Sequence, residues 1–209
     1  MRASSGPRIV LALAATLAAA TEVSAHRTGD YLQAARIGVE PDRVLITLDL
    51  MPGTDVAEAF IAALDRDHDG SLSAEEQRAY AEQVVSALEV QIDERPLQPR
   101  VLSWSLPELG AFRRGEGAIR LKLQAALPEV SAGSHRLSFR NAHLPGHSAY
   151  LANALVPASA RVTVTAQRRD RDQSKLAIEY TVRADSPGAA LAWVLGVLAT
   201  AFVMVRFRP

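Results

Sequence analysis

The chain has 209 residues, 23 basic against 23 acidic side chains, a formal net charge of zero and no cysteine. The balance argues against a nucleic-acid surface, which needs a basic excess. Without cysteine there can be no disulfide, thiolate metal site or cysteine nucleophile, and with aromatic residues at 5 % the core is expected to be aliphatic.

Arg2 and Arg8 precede an apolar run over positions 9–20, and Val23, Ser24 and Ala25 offer small residues for a cut. This is the layout of a secretory signal peptide over 1–25. The alternative, an uncleaved anchor, has a short run for a span. Cleavage would expose His26 as the new N-terminus.

From Tyr31 onward the apolar period is two. Val44, Ile46, Leu48 and Leu50 alternate with Leu45, Thr47 and Asp49, as in a half-buried strand. Pro52-Gly53 ends that strand. The following segment, 54–89, reads as a helix–loop–helix. Asp55, three residues before Glu58, marks a helix start, with Val56, Phe60, Ile61 and Leu64 on one side. Tyr80, Val84 and Leu88 stripe the second helix.

Between these helices runs Asp65-Arg66-Asp67-His68-Asp69-Gly70-Ser71-Leu72-Ser73-Ala74-Glu75-Glu76. Its spacing is that of an EF-hand calcium loop. Carboxylates stand at positions one, three and five, glycine at six, a backbone carbonyl from Ser71 at seven and Glu76 at twelve. Calcium takes six to eight oxygens at about 2.3–2.6 Å, which explains the carboxylate density. Ser73 would ligate directly or through water, and with Glu76 it also forms a capping box for the exiting helix. Leu72 offers an apolar side chain to the domain. EF-hands usually work in pairs and this chain has one, so the affinity is expected at about 10⁻⁴–10⁻³ M, as in extracellular modules, unless two copies dimerise loop to loop.

Alternation returns at Leu88, Val90 and Ile92; at Ile119, Leu121, Leu123 and Ala125; at Leu137 and Phe139; at Val162, Val164 and Ala166; and at Leu176, Ile178, Tyr180 and Val182. The expected fold class is mostly β: an antiparallel β-sandwich over 26–186 carrying the EF-hand-type insertion. Positions 168–173 read as a charged hairpin tip, and 106–115 as a loop. Positions 188–205 are uncharged and mostly apolar, and at 1.5 Å per residue they reach about 27 Å, enough for a transmembrane helix over 187–206. Arg206 and Arg208 then place the stub 207–209 in the cytoplasm and the domain outside. Gly188, Ala192, Gly196 and Thr200 form a small-residue stripe against which a membrane-protein partner could pack.

His143 and His147 sit in a turn around Pro145-Gly146, and with His26 they are candidate ligands for nickel or copper. The competing reading is surface histidines without a ligand. His68 holds a non-ligand loop position, and His135 alternates with Leu137 at the core edge. No nucleophile elbow, His-Glu-x-x-His or phosphate-cradling loop is present in the sequence, so no enzymatic activity is expected.

Ala25-His26, the strand at 44–50, the acidic loop and Phe139-Arg140-Asn141 through Leu144-Pro145-Gly146-His147 together resemble an exported domain found ahead of some bacterial nickel/cobalt-type transporters. The resemblance covers 26–157 and implies an accessory role near a metal-handling membrane system. Two departures stand out. No multi-span transporter follows in this chain, and an aromatic that the family carries just after the Pro-Gly turn is represented only by Tyr150. Two function classes follow: a membrane-anchored extracytoplasmic calcium-binding module, or an accessory subunit with a His26–His143–His147 transition-metal site.

Overall fold

A computed structural model describes residues 31–184. The proposed signal peptide, His26, the apolar run 188–205 and the stub lie outside the described residues. Among the described residues no helix is long and apolar enough to cross a membrane.

In chain order the elements are β1 (Tyr31–Val39), β2 (Arg43–Pro52), α1 (Thr54–Leu64), α2 (Ala74–Ser86), β3 (Leu88–Ile92), β4 (Arg95–Leu97), β5 (Arg100–Ser105), α3 (Leu109–Arg113), β6 (Ile119–Ala126), β7 (Gly133–Asn141), β8 (Ser148–Ala154), β9 (Val162–Arg169) and β10 (Lys175–Val182). They make two five-stranded sheets, ordered β5-β6-β2-β1-β8 and β4-β3-β7-β10-β9. The period-two residues line the interior. Val44, Ile46, Leu48 and Leu50 of β2 face the same core as Leu176, Ile178 and Tyr180 of β10. Removing each such aliphatic chain from water contributes about 1.5–3 kcal/mol, and the pleat puts every second one on the same face.

The mostly β, two-sheet architecture is therefore as the alternation indicates, with one correction. The sheets are not wholly antiparallel, because β8 runs parallel to β1, with Tyr31 opposite Ser148 and Ile37 opposite Ala154. Alternation reports which face is buried and carries no information on strand direction. The direction is set by the turn 142–147, which carries the chain from the end of β7 to the sheet edge beside the start of β1.

A second correction concerns 106–115, read as a loop. It contains α3, whose Phe112 is buried against Phe60 with ring centroids 5.7 Å apart. A third concerns the start of α1. Gly53, not Asp55, is the N-cap, and no side chain caps it. Asp55 lies inside the first turn, where its charge favours the positive end of the helix.

The register places all three helices at one end. β2 enters α1 from the end where Pro52 pairs with Tyr31, and α2 delivers Leu88 opposite Asn141 at the end of β7. α3 connects Ser105 of β5 to Ile119 of β6, which lies opposite Leu50. The opposite end carries the β1–β2 turn, the loop 155–161 and the last residues of β10. At about 3.3 Å per residue, a nine-residue strand separates the two ends by about 25–30 Å.

Candidate metal centre

The loop 65–76 is anchored at both ends by its neighbouring helices. Asp65 is the C-cap of α1, and its N–H donates to the Ile61 carbonyl at 2.9 Å. Its carboxylate accepts from the N–H of Asp69 at 3.2 Å and of Gly70 at 3.0 Å. The loop thereby curls around its own first residue. Asp67 also accepts from the Asp69 N–H, at 3.2 Å, and Asp69 accepts from the Ser71 N–H and hydroxyl at 2.8 and 2.7 Å. The curl needs left-handed backbone at His68 (φ 59°) and Gly70 (φ 82°). Glycine reaches that conformation without steric cost.

At the far end Ser73 caps α2, and the reciprocal capping box with Glu76 is formed. Glu76 accepts from the Ser73 N–H and hydroxyl, each at 2.8 Å, and from the Arg66 N–H at 2.6 Å. The twelfth residue of the loop is thus tied to the second. The Ser73 hydroxyl first, then the Ser73 and Arg66 N–H groups, hold the Glu76 carboxyl down at about 2. It carries its charge at any physiological pH.

One carboxylate oxygen each from Asp65, Asp67 and Glu76 lie within 4.8 Å of one another. Oxygens sharing one calcium ion at up to about 2.6 Å can stand no more than about 5.2 Å apart, so the three fit a single hard cation. Asp65 and Glu76 are buried and Asp67 is exposed, which leaves the cluster open on one side. Among the expected carboxylate ligands, Asp69 stands outside this group. The Asp69 carboxylate accepts from Ser71, and the Ser73 hydroxyl is engaged with Glu76.

The histidines separate. His143 is 3 % exposed, and its Nε2 is 3.1 Å from the Tyr80 hydroxyl, which is itself hydrogen-bonded to the Tyr31 hydroxyl. Burial pushes its imidazole down to about 4. The expectation of a surface position fails for this residue: its side chain turns inward onto Tyr80, while positions 144–147 of the same turn stay exposed. His147 is exposed, with its carbonyl accepting from the Tyr31 N–H. Among the described residues neither belongs to a group of three metal-ligating side chains. His68 is exposed. His135 bridges Asp93 and the Ser131 carbonyl at 2.8 and 2.9 Å, beside Tyr180.

The sequence reading missed the polar network behind the loop. Gln33, 1 % exposed, donates to the His143 carbonyl and to the Ser148 hydroxyl, and accepts from the Asn141 side chain at 2.8 Å. Asn141 in turn accepts from the His143 N–H, and Tyr150 donates to the His143 carbonyl. Tyr80 lies one helical turn beyond Glu76, and the two line one cavity of about 100 Å³ together with Phe60 and His143. That i, i+4 spacing was the available signal. The hydroxyl partners of Tyr80 come from β1 and the β7–β8 turn, 49 and 63 positions away in the chain, and no local pattern reports them.

No family model matches the chain, and neither a curated protein nor a solved structure matches it.

Proposed function

We propose that this protein is an exported calcium-binding module held at a membrane by positions 188–205, where it serves a membrane partner in an accessory or structural role. The observation carrying this reading is the convergence of Asp65, Asp67 and Glu76 within 4.8 Å at the mouth of a helix pair. Three carboxylates so close repel one another, and a divalent cation relieves that repulsion while drawing α1 and α2 together. Calcium suits the site better than a softer metal, since every donor in the cluster is a carboxylate oxygen. When the ion binds, Asp69 and the Ser71 carbonyl are the nearest additional oxygens in sequence to complete its shell, with Ser73 or a water after them. The resemblance to the domain ahead of nickel/cobalt-type transporters supports an accessory role beside such a membrane system.

Calorimetry of the purified protein with calcium tests the reading. Binding heat should appear at about 10⁻⁴–10⁻³ M calcium and vanish in the Asp65→Ala, Glu76→Gln double variant. Heat that survives the double variant, or none in the parent, would sink it.

A further inference from the structure

The end of the two-sheet domain remote from the helices carries a surface that the calcium reading does not use. The loop after β8, Leu155-Val156-Pro157-Ala158-Ser159-Ala160, has no charged residue in a chain that is 22 % charged. Val156 is 94 % exposed and Leu155 44 %, and Ala158 and Ala160 are exposed as well. The loop is nevertheless held in place. The Leu155 N–H donates to the Ile37 carbonyl at 2.8 Å, and the Glu40 carboxylate accepts from the N–H groups of Ala158 and Ser159 at 2.9 and 3.2 Å. The Arg161 N–H donates to the Ser159 hydroxyl. An apolar side chain presented to water on a pinned loop costs free energy unless something covers it.

What covers it follows from where the chain leaves. The Arg183 N–H donates to the Arg161 carbonyl at 2.8 Å, and Arg161 Nε donates back to the Arg183 carbonyl at 3.4 Å. The uncharged loop and the exit strand therefore share one end of the domain. The apolar run begins at position 188, four residues past Ala184, and four residues of extended chain span at most about 14 Å. If that run enters a bilayer, as the functional proposal holds, this end lies within reach of the lipid surface. Charge at this end is mixed: Arg43, Arg161 and Arg183 stand with Glu40, Asp42 and Glu129, and Asp185 follows in the sequence, so the uncharged loop is the part that suits a lipid surface.

We infer that the loop 155–160 is a membrane-contact surface that seats the domain on a lipid bilayer. Leu155 and Val156 enter the interface. The domain then stands upright, and the candidate metal centre is held about 25–30 Å from the bilayer, free to meet a partner rather than lipid. This inference rests on the membrane-anchor part of the proposed function, and the test separates the two.

The chain has no cysteine, so single probes can be placed cleanly. Full-length protein carrying Val156→Cys, labelled with an environment-sensitive fluorophore, is reconstituted into phosphatidylcholine vesicles. Asp172→Cys, on the exposed β9–β10 hairpin at the opposite end, is the control. Flotation first establishes whether the chain stays with the vesicles. Headgroup-level nitroxide lipids should quench the probe at 156 severalfold more than the probe at 172. Equal quenching at 156 and 172 on floating protein overturns the contact surface while leaving the anchor intact. Protein that fails to float overturns the anchor, and the inference falls with it.

Discussion

Burial without ionisation is the condition in which His143 is held. The imidazole sits between Tyr31 and Tyr80, with ring centroids 6.1 and 5.6 Å away, and desolvation lowers it from 6.5 to about 4. The unfolded chain therefore binds a proton at a pH where the folded chain refuses one. Stability from this residue is complete above pH 6.5 and is lost as the pH falls through that value toward 4. Chemical denaturation from pH 7 to 4 should show the midpoint falling, and a His143→Asn variant should show a flatter profile; parallel profiles would remove His143 from the account. Tyr180 presents the opposite case. Its hydroxyl is buried with no hydrogen-bond partner among the described residues, and burial pushes it up to about 12. Tyr180→Phe removes an unsatisfied group at almost constant volume, so it should keep or raise stability, by up to about 1 kcal/mol. A loss of more than that in a melting experiment would mean that the hydroxyl has a partner.

At the scale of elements, the helix–loop–helix is held less by its own caps than by its neighbours. α1 starts on Gly53 with no side-chain cap, yet it is fixed through Phe60, which meets Tyr31, Tyr80 and Phe112 at 5.1, 5.3 and 5.7 Å. α2 is the better-capped helix, and Trp104 of β5 also donates to its Gln77 at 3.3 Å. Two glycines with positive φ separate local strain from packing. At Gly70, φ 82°, an added Cβ would meet nothing within 4 Å, whereas at Gly115, φ 72°, it would come 2.9 Å from Thr54 Cγ2. Gly70→Ala should cost only the left-handed penalty, about 1–2 kcal/mol. Gly115→Ala should cost more, because α3 must also move off the first turn of α1. Urea titration of both variants checks the order, and equal losses would mean that the Thr54 contact yields freely.

For the whole molecule, the arrangement separates two ends. The helices and the acidic loop occupy one end, and the chain's exit toward 188–205 occupies the other, with the two-sheet body between them. On the calcium proposal a cation at 65–76 would bind the folded state, so it should raise the melting temperature by mass action. At free calcium about ten times the dissociation constant the gain is about 1.4 kcal/mol, or roughly 3–6 °C for a domain of this size. Differential scanning calorimetry in calcium and then in chelator reads this directly. The Asp65→Ala, Glu76→Gln variant should show no difference between the two conditions. A calcium shift retained in that variant would place the stabilising ion elsewhere.

The sequence by itself determined the buried faces and the metal-ligand candidates. Apolar alternation fixes which side of a strand is buried, so β2, β3, β6, β7, β9 and β10 were legible from their own residues. Capping chemistry is equally local, and Ser73 with Glu76 announced the start of α2. Of the strands that went unread, β4, β5 and β8 are edge strands, whereas β1 lies inside its sheet and carries the polar Gln33 on its buried face. β5 keeps no fully buried residue and β8 a single one, because an edge is covered on fewer sides and its alternation fades. Strand direction, the packing of α3 and the inward fold of His143 depended on contacts between residues far apart in sequence, which only the assembled sheets decide. The same division runs through the acidic loop. Its spacing named six candidate ligands in advance, while the fold drew the carboxylates of Asp65, Asp67 and Glu76 together and left that of Asp69 outside the group.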